Sequence, residues 1–174
     1  MESLLRKQIV QLYHTIGLYF IKEQLFNKAK DNLHKALSLE PSNKNIRCNI
    51  LLHLGQVYIQ QGKYDEAITE YKKAFFLEPH DKNITCSIHY ALGSAYEKVG
   101  SVDKAIEKFK TVLELIPYHE LLDEKRFAGG AHFHLGCIYQ ALGKIEETKR
   151  EFESCLEFIP KHKKAKECLD RMKS

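Results

Sequence analysis

Four glycines, Gly17, Gly55, Gly93 and Gly136, are each followed 24 residues later by a proline: Pro41, Pro79, Pro117 and Pro160. These are all the prolines of the 174-residue chain, and a spacing held to the residue four times over means that one structural unit recurs. Seven residues after the last three of these glycines comes a second one, Gly62, Gly100 and Gly143, and Gly129-Gly130 complete the set of nine. Successive prolines are 38, 38 and 43 residues apart. All variation in length therefore lies between a proline and the next glycine.

The unit reads as two helices. Ile50, Leu51, Leu54, Val57 and Tyr58 follow the 3, 4, 7 spacing of one helix face. Gly62 stands where a helix C-cap is wanted, because only glycine enters the left-handed conformation without strain. Asp65 and Asp103, and likewise Asn27, are expected to cap the second helices by accepting an amide hydrogen bond. Ala67, Ile68, Tyr71, Ala74, Phe75 and Leu77 line the second helix, which ends before Pro79 because the proline ring disfavours helix at the preceding residue. Gly55 falls inside a helix, where glycine costs about 1 kcal/mol against alanine. That cost, repeated four times, implies a neighbouring helix too close for a side chain.

The second unit shows Leu51, Leu54, Gly55, Tyr58, Gly62, Tyr64, Ala67, Tyr71, Ala74 and Pro79. The third shows His89, Leu92, Gly93, Tyr96, Gly100, Ala105, Phe109, Val112 and Pro117. The first has Tyr13, Ile16, Gly17, Phe20, Ala29, Leu33, Ala36 and Pro41, and the fourth His132, Leu135, Gly136, Tyr139, Thr148, Phe152, Cys155 and Pro160. This pattern resembles the tetratricopeptide repeat. The resemblance implies an all-α fold, a right-handed superhelical solenoid of antiparallel helix hairpins (TPR-like) with a C-terminal capping helix. It implies a single domain over 1–174 with repeats at about 10–43, 48–81, 86–119 and 129–162, and the cap at about 161–174. Gln24 replaces the inter-helix glycine of the first repeat, and Thr148 and Cys155 replace alanines of the fourth, so looser packing is expected at both ends. The usual period is 34, and the junctions here carry four, four and nine extra residues. Four residues are about one helical turn, so the first helices are expected to be longer, with Ile46, Ile84 and Phe127 at the added position. The insertion around His119 to Arg126 is expected to be an irregular joint, bent at Gly129-Gly130.

Composition narrows the function classes. The first twenty residues hold Arg6, Lys7, Gln8 and Gln11, which break any signal-peptide core, and no apolar run approaches the roughly 20 residues of a membrane helix. A soluble, cytoplasmic chain with no membrane insertion is expected. Five cysteines, Cys48, Cys86, Cys137, Cys155 and Cys168, include no CxxC pair, so neither a disulfide nor a zinc framework is indicated. The net charge of +4 belongs to residues 161–174, which hold six Lys/Arg against two Asp/Glu. Ala165, Cys168, Leu169 and Met172 give that segment one apolar stripe, as an end cap needs. Six basic residues without interleaved aromatics are a weak nucleic-acid footprint. His132, His134 and Cys137 form the best metal candidate, yet His132 points away from the other two on a helix. No catalytic constellation, metal site or cofactor is expected, so the chain is not read as an enzyme.

Function is then a matter of surface shape. The resemblance implies a concave groove lined by the first helices, holding an extended peptide or a partner helix. Carried onto this sequence, the groove comprises His14, Leu52, Tyr90 and Phe133 in one row and Leu18, Gln56, Ser94 and Cys137 in the next. Asn49 lies on one flank, with Gln11 and Ser87; Ile59, Glu97 and Gln140 lie on the other, with Ile21. Residues four apart on a helix share a face, which independently pairs His14 with Leu18, Leu52 with Gln56 and Tyr90 with Ser94. One subclass of the family grips a chaperone C-terminal carboxylate with lysine, asparagine and arginine. The corresponding residues are His14, Leu18, His53, Ser87 and Ala91, or, one repeat on, Leu52, Gln56, Ala91, Gly130 and His134. Neither set has the cations to pair a carboxylate, so the expected ligand is another protein or peptide, with Tyr90 and Phe133 as aromatic anchors. The alternatives are self-assembly into homo-oligomers and, less favoured, nucleic-acid binding through the basic segment.

Overall fold

The computed structural model describes residues 2–39, 41–116 and 122–173. Among them are nine α-helices and no strand: α1 (Glu2–Lys22), α2 (Phe26–Ser38), α3 (Lys44–Gln60), α4 (Tyr64–Phe76), α5 (Lys82–Lys98), α6 (Val102–Leu115), α7 (Leu122–Ala141), α8 (Ile145–Phe158) and α9 (Lys163–Lys173). The chain divides into two compact units, Met1–Ile88 and His89–Ser174. In the first, α1 pairs with α2, α3 with α4, and α2 and α1 both touch α3. In the second, α7 packs on α6 and α8, and α8 on α9. No helix of the described residues is long and apolar enough to cross a membrane.

The buried glycines mark where paired helices meet. A Cβ added at Gly17 would stand 2.8 Å from Leu33 Cγ, one at Gly93 2.9 Å from Phe109 Cε1, and one at Gly136 2.7 Å from Phe152 Cδ1. At Gly55 it would run into the Tyr71 ring, 2.6 Å from both Cδ1 and Cζ. In every pair the large side chain lies sixteen residues after its glycine, and Leu33, Phe109 and Phe152 are wholly buried. The helices approach across hydrogen atoms, and the ring or leucine fills the space that a methyl group would take.

Gly62, Gly100 and Gly143 turn the chain between paired helices with φ of +71°, +73° and +70°. Gln24 occupies the same place with φ +58°, a region that costs an L-residue roughly 1–2 kcal/mol. Gln24→Gly relieves that strain and gives back part of it as extra unfolded-state freedom. The net expected gain is about 0.5–1 kcal/mol, read as a melting midpoint raised by about 1–4 °C. An unchanged or lowered midpoint would contradict this account of the turn.

Capping differs from expectation. Asp65 and Asp103 lie in the first turn of α4 and α6, behind Lys63 and Ser101, and neither helix has a side-chain cap; Asn27 is inside α2, behind Leu25. The Asp65 and Asp103 carboxylates act instead on the positive helix end. Side-chain caps open α3 and α5 instead, two residues after a proline. Asn43 Oδ1 accepts from the Asn45 and Ile46 amides at 2.9 and 3.2 Å, and Asp81 Oδ1 from those of Asn83 and Ile84 at 2.8 and 3.3 Å.

Two further expectations are corrected. α7 runs unbroken through Gly129-Gly130; these glycines make room for packing, since a Cβ at Gly129 would meet Ile159 at 2.6 Å and one at Gly130 the Tyr90 hydroxyl at 2.8 Å. Thr148 and Cys155 are fully buried and loosen nothing. The Thr148 hydroxyl donates to the Lys144 carbonyl at 2.7 Å, which removes the cost of burying it, and Cys155 is covered by Ala165 and Leu169 of α9. The added turns are real in α3 and α5, each 17 residues long, with Ile84 buried and Ile46 and Phe127 half-buried. Pro117 and the start of the insertion, including His119, lie outside the described residues.

Candidate functional site

In the first unit the expected groove residues sit on α1 and α3. His14 is withdrawn from the surface, 7% exposed, with Nε2 2.9 Å from His53 Nδ1 and the rings 5.0 Å apart. Burial lowers both imidazole pKa values, that of His53 to about 4, with His14 adding to the effect. The pair is therefore neutral at pH 7 and shares one hydrogen. Around it, Leu18 and Gln56 are exposed, and Asn49, Leu52 and Ile59 half-buried. No charged side chain belongs to this set.

In the second unit Tyr90 is an internal strut. Its ring meets Phe109, Phe127 and His134 edge-on at 5.7, 5.9 and 5.6 Å, and burial raises its hydroxyl pKa to about 12. Phe133 lies 4.4 Å from the His162 ring and 5.9 Å from Phe152, packed on the core formed with α9. The two aromatics expected as anchors are thus braced within their own unit and, like Asn49 and Leu52, half-buried. Ser94 and Cys137 stay half-buried and Gln140 exposed. Glu97 Oε2 accepts from His134 Nδ1 at 2.7 Å, tying α5 to α7, while the His134 ring stacks on Phe109 at 4.9 Å.

Chemistry other than binding finds little to work with. His132 pairs with Glu151 at 2.7 Å and stacks on Phe158, away from the His134–Glu97 pair. Among the described residues no group of three potential ligands could hold a metal ion. Burial pushes the Cys137 and Cys155 thiols up to about 11, so at neutral pH they are protonated and poor nucleophiles. The cysteines are free thiols, three of them buried.

His53, Phe109, Phe127 and His162 position this surface; repeat spacing picks out the first three without that role and says nothing of His162. A signal existed for one of them. His53 and His134 stand at the same place in their units, two residues before Gly55 and Gly136, and both anchor a neighbouring first helix.

Profiles described as "Tetratricopeptide repeat" match residues 10–43, 129–162 and 88–123, and one described as "TPR repeat" matches 55–100. No curated protein sequence matches the chain. Among solved structures, MamA 41-end from Desulfovibrio magneticus RS-1 is 20% identical, with 94% of this chain and 82% of that one covered at a TM-score of 0.73. Pseudomonas aeruginosa pilF is 18% identical over 96% and 68% of the two chains, with a TM-score of 0.77. YrrB, described as a TPR protein with an unusual peptide-binding site, is 20% identical over 91% and 73%, with a TM-score of 0.69. Four matched segments, the close packing on a helix glycine that they share and the common fold place this all-α chain in the tetratricopeptide repeat family.

Proposed function

We propose that the chain is a non-enzymatic protein-binding module, a cytoplasmic scaffold or adaptor of four repeats (about 10–43, 48–81, 86–119 and 129–162) closed by a capping helix. One observation carries the reading: Leu18, Asn49, Leu52, Gln56 and Ile59 form an accessible, uncharged set on α1 and α3. Apolar side chains with two amides between them suit a peptide or amphipathic helix, whose apolar residues contact the leucines while its polar groups meet Asn49 and Gln56. The absence of a cation from this set speaks against a terminal carboxylate as the main determinant. The fold likeness to YrrB supports a binding surface of this kind.

In the second unit the corresponding contact residues are Ser94, Glu97, Cys137 and Gln140, beside the internally braced Tyr90 and Phe133. The test uses peptides selected by display against the immobilised chain. Leu52→Asp is expected to weaken them at least about tenfold, the scale of a lost apolar contact, with the melting midpoint kept. Peptides that bind Leu52→Asp and Leu18→Asp as well as the unaltered chain would reject the surface. Truncating Tyr90 or Phe133 is a poor test, since both rings brace the second unit.

A further inference from the structure

The outward face of α1 is apolar where a solvated helix would be charged. Gln8, Gln11, Leu12, Thr15, Leu18 and Tyr19 include no ionisable group except the phenol, and Leu4, Leu5, Leu12 and Tyr19 are 57–62% exposed. Leu12 and Tyr19 stand five residues before and two after Gly17. The same places are filled in α3 by Ile50 and Val57, both 0% exposed, and in α7 by Ala131 and Ile138, at 0% and 5%. α3 packs on α2, and α7 on α6. The exposed face of α1 is therefore the face by which a first helix seats on a preceding hairpin.

The C-terminal hairpin carries the reciprocal surface, and α9 occupies it in the register of a first helix. His162, two residues after Pro160, accepts the Ala165 amide at Nδ1, 3.2 Å away, as Asn43 and Asp81 do after their prolines. Leu169, nine after Pro160, stands where Ile50 stands after Pro41, and it is buried with Phe152 and Cys155. The fit is incomplete. Beside Met172 a pocket of about 230 Å³ is lined by Gln140, Gly143, Ile145 and Thr148. Ile145 and Leu142 remain 67% and 48% exposed.

We propose that α1 of one copy takes the seat of α9 on a second copy, so that chains join head to tail with α9 as a displaceable plug. Leu12 then lies where Leu169 lies and Tyr19 reaches the pocket beside Met172. Such a contact is heterologous, so each added copy leaves a free α1 and a free α9 seat. Leu18 and Gln140 border both this contact and the peptide-binding face, so the variants that test it, at Leu12, Tyr19 and Leu169, leave both of them unchanged.

The test is sedimentation equilibrium of the 174-residue chain from about 10 µM to about 1 mM, the range for interfaces of modest area. The mean mass is expected to rise past that of a dimer. Leu12→Glu/Tyr19→Glu, at exposed positions, is expected to stay monomeric. Leu169→Glu withdraws the competing plug and is expected to lower the apparent dissociation constant about tenfold. Should that variant unfold, hydrogen exchange of the unaltered chain gives the same reading: amides of Lys163–Lys173 lose protection as concentration rises. A monomer at every concentration overturns the proposal. So does assembly that survives Leu12→Glu/Tyr19→Glu, or a mass that stops at two copies with α9 protection unchanged, which would mean two α1 helices pairing. Vesicle binding through α1 without self-association would overturn it in favour of a membrane surface.

Discussion

Gly55→Ala is expected to destabilise the first unit by about 3 kcal/mol, the upper part of the range for an overpacked core. Most alanines introduced into helices do the opposite, gaining about 1 kcal/mol over glycine through reduced backbone freedom. Here the new methyl would overlap the Tyr71 ring. That ring is 4% exposed, and α3 and α4 pack together along their length. Relief requires the two helices to part or the ring to leave its rotamer. At about 2–4 °C per kcal/mol for a chain of this size, the midpoint should fall by about 10 °C. Tyr71→Leu is the control, because Leu33 stands opposite Gly17 in the equivalent place. The double variant should recover most of the loss, which a double-mutant cycle measures as coupling. Additive losses in the two variants would show that the glycine is not there for the ring.

Acid is expected to weaken the first unit before most carboxylates titrate. His53 is held by burial at a pKa of about 4 against an ordinary 6.5, and His14 is lowered in the same direction. The unfolded chain takes up protons that the folded chain refuses, so stability rises with pH in this window. The contribution is full above about pH 6.5 and is lost as the pH falls toward 4. For His53 alone a shift of this size corresponds to about 3 kcal/mol across the window. Urea unfolding at pH 7, 6 and 5 should show the midpoint falling stepwise, and His53→Leu should flatten that dependence. An equal slope in His53→Leu would mean that other groups carry the acid response.

How much of this was legible depended on how local the cause was. Gly62, Gly100 and Gly143 could be read directly, because a left-handed turn between helices is a demand made by one residue's backbone. The buried glycines could be read as close contacts, and the sixteen-residue offset to Tyr71, Phe109 and Phe152 follows from two helices of fixed length around a fixed turn. The caps were misread by two residues and in the wrong helices. Asp65 and Asp103 suit a cap or a first turn equally, and only hydrogen-bond geometry separates the two. Gly129-Gly130 suggested a bend by composition, whereas Ile159 and Tyr90 pressing on α7 explain both residues without one.

The groove shows the same boundary. Periodicity correctly put His14 beside Leu18 and Tyr90 beside Ser94 on one helix face, and it could say nothing about what lies over that face. His14 is closed off by His53, which the sequence places 39 residues away. Phe133 is braced by His162 and the capping helix, and Tyr90 is held by Phe127 and His134 of α7. Repeat spacing alone determined the helical hairpins, their turns and the glycine–ring contacts, since each follows from backbone conformation and the period of a helix. The tertiary structure alone decided which side chains of the first helices are buried and which stay exposed. Burial is set by neighbours far along the chain, and a side chain of one type can serve as well for a core as for a surface.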